Sequence, residues 1–300
     1  MIKFIFKFID KHFLFLSFLL IITCFFPLFY FSTKFVINGW AYSDALINYS
    51  EGFIRRGLLG EFIININHLT GLKLSIIHSY IFIIFSSLNF VLFIILLKPI
   101  SDNRFIYLFL LFNPLLLFFP LNDTGGYLRK DIFVITLMLL HCFFCNQFHS
   151  KKINTKKYII LLNLIILPFI VINTLIHDLQ FFLIPFHFFL TLNVVNKGFN
   201  ILNINSYINK KNTILLAYVF TILPLIAFIL NPVSLEKITL VANNILLIDP
   251  DTFKAPIIHV SDPFYFAAKN NINFMFSPDK LGTYAHLYNY LFLLIISVGS

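Results

Sequence analysis

The sequence predicts an all-α polytopic membrane protein of about eight transmembrane helices, with interfacial amphipathic helices in its first outer loop. Three observations carry that prediction. Hydrophobic residues make up 59% of the chain and charged residues only 12%, far from the usage of water-soluble domains. Apolar runs of about 17 to 20 residues recur, the length at which a helix crosses a hydrocarbon core. Lysines cluster in every second connection, the bias that orients helices across a membrane.

Seven complete spans are expected, at 13–31, 77–97, 105–121, 132–148, 158–176, 179–195 and 214–230. An eighth begins near His286 and meets the last residue after about fourteen positions, short for a full crossing. The first run follows Lys3, Lys7 and Lys11 in the manner of a signal peptide. It is long, however, and ends in Phe25, Phe26, Phe29, Tyr30 and Phe31 with no small-residue cleavage site, so an uncleaved anchor is expected. A cytoplasmic N terminus puts Lys98, Arg104, Lys151, Lys152, Lys156, Lys157, Lys197, Lys210 and Lys211 inside as well. Of the acids, only Asp10 and Asp102 share that side. Residues 1–300 thus read as one integral membrane domain. Residues 32–76 form an amphipathic outer loop, and 231–284 an extracytoplasmic loop or small cap.

The net charge of +9 does not point to nucleic acid, because no basic patch is interleaved with exposed aromatics; the inner lysines match anionic lipid headgroups. Cys142 and Cys145 form a C-x-x-C inside a span, where a thiolate or zinc site would be costly, and no metal is expected. His141 and His187 also fall within spans and read as helix–helix hydrogen-bonding residues. Nucleotide-binding loops are absent, and so are charged residues within the spans of the kind ion-coupled carriers use; Asn89, Asn113, Asn163 and Asn173 are scattered there.

The candidate chemistry lies in the outer links. From Asp44 the first loop reads DALINYSEGFIRRGLLGEFIININHLTG, with Ala45, Leu46, Tyr49, Phe53, Leu58, Leu59 and Phe62 available for one apolar face. Gly52, Gly57 and Gly60 punctuate it and permit close backbone approach. Arg55 and Arg56 either grip a phosphate in bidentate fashion or anchor the loop to lipid phosphates. In LNDTGGYLRKDIF, Gly125 and Gly126 allow a tight turn that sets Arg129, Lys130 and Asp131 at the mouth of the fourth span. Asp131 also suits the first turn of a helix by its charge, with Arg129 and Lys130 as interfacial anchors. His177 and Asp178 occupy a link of almost no length, either as a proton acceptor with its partner or as a turn residue with a helix cap. In the last outer segment, Asp249 with Asp251 and Asp262 with His259 could be drawn as a metal site, but Asp-Pro turn chemistry accounts for them more simply.

Asp44 in the first outer loop, the run GFIRRGLLGEF and the run GGYLRKDIF together resemble the polyprenyl-phosphate-dependent glycan enzymes. These are the GT-C type glycosyltransferases and the Wzy and EpsG-like polysaccharide polymerases of bacterial envelopes. The resemblance implies an enzyme of the bacterial cytoplasmic (inner) membrane. It would use a sugar carried on undecaprenyl phosphate or diphosphate, without a cofactor, alongside other members of an envelope glycan assembly system. Arg55, Arg56, Arg129 and Lys130 would then hold the anionic leaving group. Asp44, or His177 assisted by Asp178, would take the acceptor's proton. Two other classes stay open: a carrier or flippase for lipid-linked glycans, and a non-catalytic membrane partner. Independent tolerance of changes at Arg55, Arg129 and His177 would mark the partner.

Overall fold

The computed structural model describes residues 40–54, 56–97, 129–177, 179–195, 218–230 and 235–250. Among these the chain is helical throughout: α1 (Trp40–Ala45), α2 (Leu58–Thr70), α3 (Leu74–Leu97), α4 (Asp131–His149), α5 (Thr155–Ile176), α6 (Leu179–Val195), α7 (Leu223–Leu230) and α8 (Leu235–Ile248). Helices α3, α4 and α5 are long and apolar enough to cross a membrane. They start one to three residues before the runs expected at 77–97, 132–148 and 158–176. Helix α6 coincides with 179–195 and is a little shorter than a full crossing. The runs expected at 13–31, at 105–121 and after His286 lie outside the described residues, and 214–230 is described from residue 218.

The α2–α3 junction follows from local chemistry. Gly71 closes α2 in the left-handed region (φ 69°), where a side chain would be strained, and its N–H donates to the Asn67 carbonyl at 2.7 Å. The N–H of Leu74, otherwise an orphan at the start of α3, donates to Asp249 Oδ2 at 3.3 Å, so Asp249 acts as a helix cap. Asp251, His259 and Asp262 lie outside the described residues. At the opposite end, Asn154 Oδ1 accepts from the Lys157 N–H at 2.9 Å and starts α5.

The buried positions of α5 include Tyr158, Leu162, Ile166, Ile170 and Thr174, one every four residues. In a regular helix each such step overshoots a full turn by about 40°. The π-helical turn at Leu162–Ile166 winds more slowly and absorbs part of this drift, which keeps one face inward along the whole span.

Packing divides the bundle into three levels. At one end Leu46, Leu59 and Ile63 pack with Leu74, Ile77, Phe82, Ile132, Phe133 and Ile176, and Val241 and Ile245 of α8 join them. Leu137, Ile166, Ile170 and Ile184 fill the middle. Cys145, Tyr158 and Val194 close the far end, beside the exposed Lys151, Lys152, Lys156 and Lys157. Outside the core, Tyr80, Ile84, Leu88, Val91 and Ile95 of α3 form an exposed apolar stripe along the helix, a surface suited to lipid tails.

Helix α2 is amphipathic as expected, but its apolar face packs on the bundle through Leu59, Gly60, Ile63 and Ile64. Phe62, expected on that face, is 55% exposed, because it lies about 100° round the helix from Ile63. Tyr49 and Phe53 are partly buried and stack on each other. Gly60 sits inside the helix, and a Cβ there would collide with the Ile47 carbonyl. The close approach expected of the loop glycines is therefore between α2 and the loop that precedes it.

Candidate functional site

Residues 46–54 and 56–57 form turns and bends. The Gly57 N–H donates to the Ile54 carbonyl at 3.1 Å, and the Tyr49 N–H to Glu61 Oε2 at 3.1 Å, which ties the loop to the first turn of α2. Between these anchors Arg56 adopts φ 65°, a left-handed conformation that costs a non-glycine residue energy and persists only when its surroundings hold it. Two contacts do so. Its carbonyl accepts from Lys130 Nζ at 2.9 Å, and its guanidinium faces Asp44 Oδ1 at 3.5 Å.

Asp44 belongs to the end of α1 and has a second cation, Lys130 Nζ, 3.5 Å from Oδ2. Burial by itself would raise the Asp44 carboxyl, but Lys130, Arg56 and His177 outweigh it and hold the group below the usual carboxylate value. The Lys130 side chain is 0% exposed, so its ammonium is committed to Asp44 and the Arg56 carbonyl. That geometry makes Lys130 an internal brace between loop and bundle.

The start of α4 is fixed from both sides. Asn89 Nδ2 donates to the Ile132 carbonyl at 3.1 Å, and Asn173 Nδ2 to the Phe133 carbonyl at 2.9 Å. Both asparagines are thereby interhelical clamps. They set Asp131 between two partners: Arg129 Nε is 3.0 Å from Oδ2, and His177 Nε2 is 3.0 Å from Oδ1. His177 follows α5 in extended geometry, and its N–H donates to the Asn173 carbonyl at 2.6 Å, so one asparagine positions both members of the pair.

Burial lowers the proton affinity of His177. The Arg56 charge lowers it further, and together they exceed the upward effects of the Asp131 hydrogen bond and the Asp131 and Asp44 charges. The neutral form of the ring is thereby favoured. With Nε2–H donating to Asp131, the lone pair is on Nδ1, the tautomer a proton acceptor needs.

Asp44, Arg56, Arg129, Lys130 and His177 thus meet at one end of the bundle, although the sequence separates them by up to 133 positions. Arg55 and Asp178 lie outside the described residues. The acid described beside His177 is Asp131, which the sequence set at the mouth of the fourth span or in a helix-dipole role, without a histidine partner. Its signal was present: the start of one span and the end of the next lie on the same side, so their terminal residues can meet. Glu51 accepts from Asn244 Nδ2 at 2.9 Å and joins α8 to the loop. Among the described residues three lasting cations face two carboxylates here, and Arg129 and Arg56 keep 29% and 15% of their side chains exposed, which suits an anion.

A second polar cluster lies deeper. His141 Nδ1 is 2.9 Å from His187 Nδ1, and His141 Nε2 is 2.8 Å from the Tyr158 hydroxyl. These are the helix–helix bonds expected of the span histidines. Among the described residues no group of three or more His, Cys, Asp or Glu side chains could hold a metal ion.

No known protein family, curated protein or solved structure matches this chain.

Proposed function

We propose that this protein is a glycan-processing enzyme of the bacterial inner membrane, with its N terminus cytoplasmic and its site on the outer face. It transfers or polymerises sugars from an undecaprenyl phosphate or diphosphate carrier. The observation that carries this reading is the meeting of a carboxylate-oriented histidine with partly exposed guanidinium groups, at the end of a bundle whose flank suits lipid tails. A lipid-linked saccharide needs all three: a base for the acceptor hydroxyl, cations for the phosphate, and an apolar flank for the prenyl chain.

In this scheme His177 Nδ1 takes the acceptor hydroxyl's proton. The acceptor oxygen forms the new bond to the anomeric carbon as the bond from that carbon to the phosphate oxygen breaks. The departing phosphate takes the bonding pair, and Arg129 and Arg56 stabilise its growing charge. Asp131 orients His177 and supports the imidazolium that forms. Asp44 is the weaker base, since Lys130 and Arg56 keep it ionised at low proton affinity. The Tyr49 hydroxyl is pushed up to about 12 by burial and by Glu61, and stays protonated at neutral pH.

A carrier is less well supported, because Leu137, Ile166, Ile170 and Ile184 form an apolar layer between the site and the deeper histidines. The test is surface-glycan analysis of a deletion strain complemented with the wild-type chain, Arg56→Ala, Arg129→Ala or His177→Ala at matched membrane expression. Restoration by wild type alone supports the reading. An unchanged glycan in the deletion strain rejects it and favours a non-catalytic partner.

A further inference from the structure

Gln180 stands in the first turn of α6, three residues beyond His177, and its backbone N–H donates to the His177 carbonyl at 3.1 Å. The residue is 0% exposed, and neither Nε2 nor Oε1 has a hydrogen-bond partner among the described residues. A buried amide with donor and acceptor both unmatched is rare in folded proteins, and apolar side chains of that size are readily available for packing.

Register gives its depth. Helices α4 and α6 run in the same direction from the site end, with His187 facing His141 and Ile184 packed in one cluster with Leu137. The same offset sets Gln180 level with Val134, about 5 Å below Asp131 along the helix axis. Helical side chains lean toward the N-terminus of their helix, and the N-terminus of α6 is at the site. The backbone thus sets Gln180 about one helical turn below the level of Asp131, bonded to the His177 carbonyl, and the usual lean of helical side chains is toward the site.

We infer that Gln180 is a hydroxyl-binding residue of this site, holding a sugar hydroxyl while the guanidinium groups hold the phosphate. The inference rests on the reading of the site as one for a phosphate-linked saccharide, and adds what recognises the sugar itself. The chemistry matches: Nε2–H donates to a hydroxyl oxygen and Oε1 accepts from a hydroxyl hydrogen, so one planar amide serves one hydroxyl or two neighbouring ones. Arg129 and Arg56 cannot perform this task, because a guanidinium only donates. A pocket that hydrogen-bonds a hydroxyl also discriminates strongly against ligands that lack it.

The test is equilibrium binding to the purified full-length chain in detergent. The probes are inorganic phosphate, geranylgeranyl diphosphate, and the 1-phosphates of glucose, galactose, N-acetylglucosamine and N-acetylgalactosamine. The wild type is expected to bind at least one sugar 1-phosphate more tightly than inorganic phosphate. Gln180→Met, which removes the unmatched polar atoms at similar size, should reduce that preference about tenfold and leave phosphate and geranylgeranyl diphosphate affinity within about twofold. Gln180→Asn, with the same chemistry on a shorter arm, should lose the preference too and serves if the Met variant does not fold. Retention of the preference in both variants overturns the role of Gln180 while the anion site stands. Equal wild-type affinity for sugar phosphates and inorganic phosphate does the same. Absence of wild-type binding to every probe overturns this inference together with the site reading.

Discussion

Two buried polar clusters built around histidine occupy different levels of the same bundle, and their contrast separates chemistry from packing. The deeper one joins His141, His187 and Tyr158, with Thr191 Oγ1 2.8 Å from the Tyr218 hydroxyl nearby; its members are uncharged or can be so, and lie on helices. The outer one joins two carboxylates, two guanidinium groups, an ammonium and His177, drawn from the end of α1, the loop that follows it, the start of α4 and the end of α5. It keeps part of its surface open and includes a left-handed Arg56. Neutral bonds between helices need only stability. Guanidinium groups gathered at an accessible edge beside a held, unfavourable backbone need a further reason, and an anionic ligand supplies one.

The sharpest test of that contrast sets His177→Ala against His141→Ala. The first is expected to lower transfer by about 10²- to 10⁴-fold, the usual contribution of a general base, with modest loss of thermal stability. The second should lower stability by about 1–3 kcal/mol through the unmatched groups it leaves, and spare transfer in protein that still folds. Glycan assays and detergent melting curves on both variants read the difference; the reverse pattern would break the distinction between the clusters.

Lys130→Met addresses the brace. It leaves Asp44 buried with one cation fewer and removes the donor that holds the Arg56 carbonyl, so a loss of about 3–5 kcal/mol is expected by thermal or denaturant unfolding. Stability within experimental error of wild type would show that the ammonium does not hold the loop.

Gly60→Ala tests whether the loop must press against α2. The added methyl meets the Ile47 carbonyl, and overpacking of this kind costs about 1–3 kcal/mol. Melting temperature measures it, and Gly52→Ala, at φ 93° with open space around it, separates steric contact from backbone strain.

The smallest expected effect is a displaced pH profile. Because His177 has a proton affinity below its ordinary value, transfer should be level near neutral pH and fall as pH drops through that lowered value. The Asp131 hydrogen bond raises the affinity, so Asp131→Asn should move the acid limb to lower pH as well as reduce the rate. A limb that stays in place in Asp131→Asn would assign it to a different group.

Much of this arrangement was legible in the residues. Periodicity and length marked α3 to α6 within a few positions, because a helix in lipid must satisfy its own backbone and present apolar side chains over a fixed distance. Sidedness marked which links could share a site, since alternating spans return their ends to the same surface. Pairing was hidden. Asp178 stands next to His177 in sequence, yet the acid described beside its ring is Asp131, 46 positions away. Lys130 read as a phosphate ligand or an interfacial anchor, yet its ammonium is enclosed. Gln180 carried no signal at all, since one polar residue in the first turn of a span is ordinary.

Composition and the order of residues were enough for the helical class and its membrane-length apolar runs, because hydrocarbon thickness acts on length and hydropathy along the chain. Which charges meet was left to the packing of the helices. Ion pairs and hydrogen bonds depend on separations of a few ångströms, and those are set by how α4 and α5 pack, by the asparagine clamps on the first turn of α4, and by the pressure of Gly60 against the Arg56 loop.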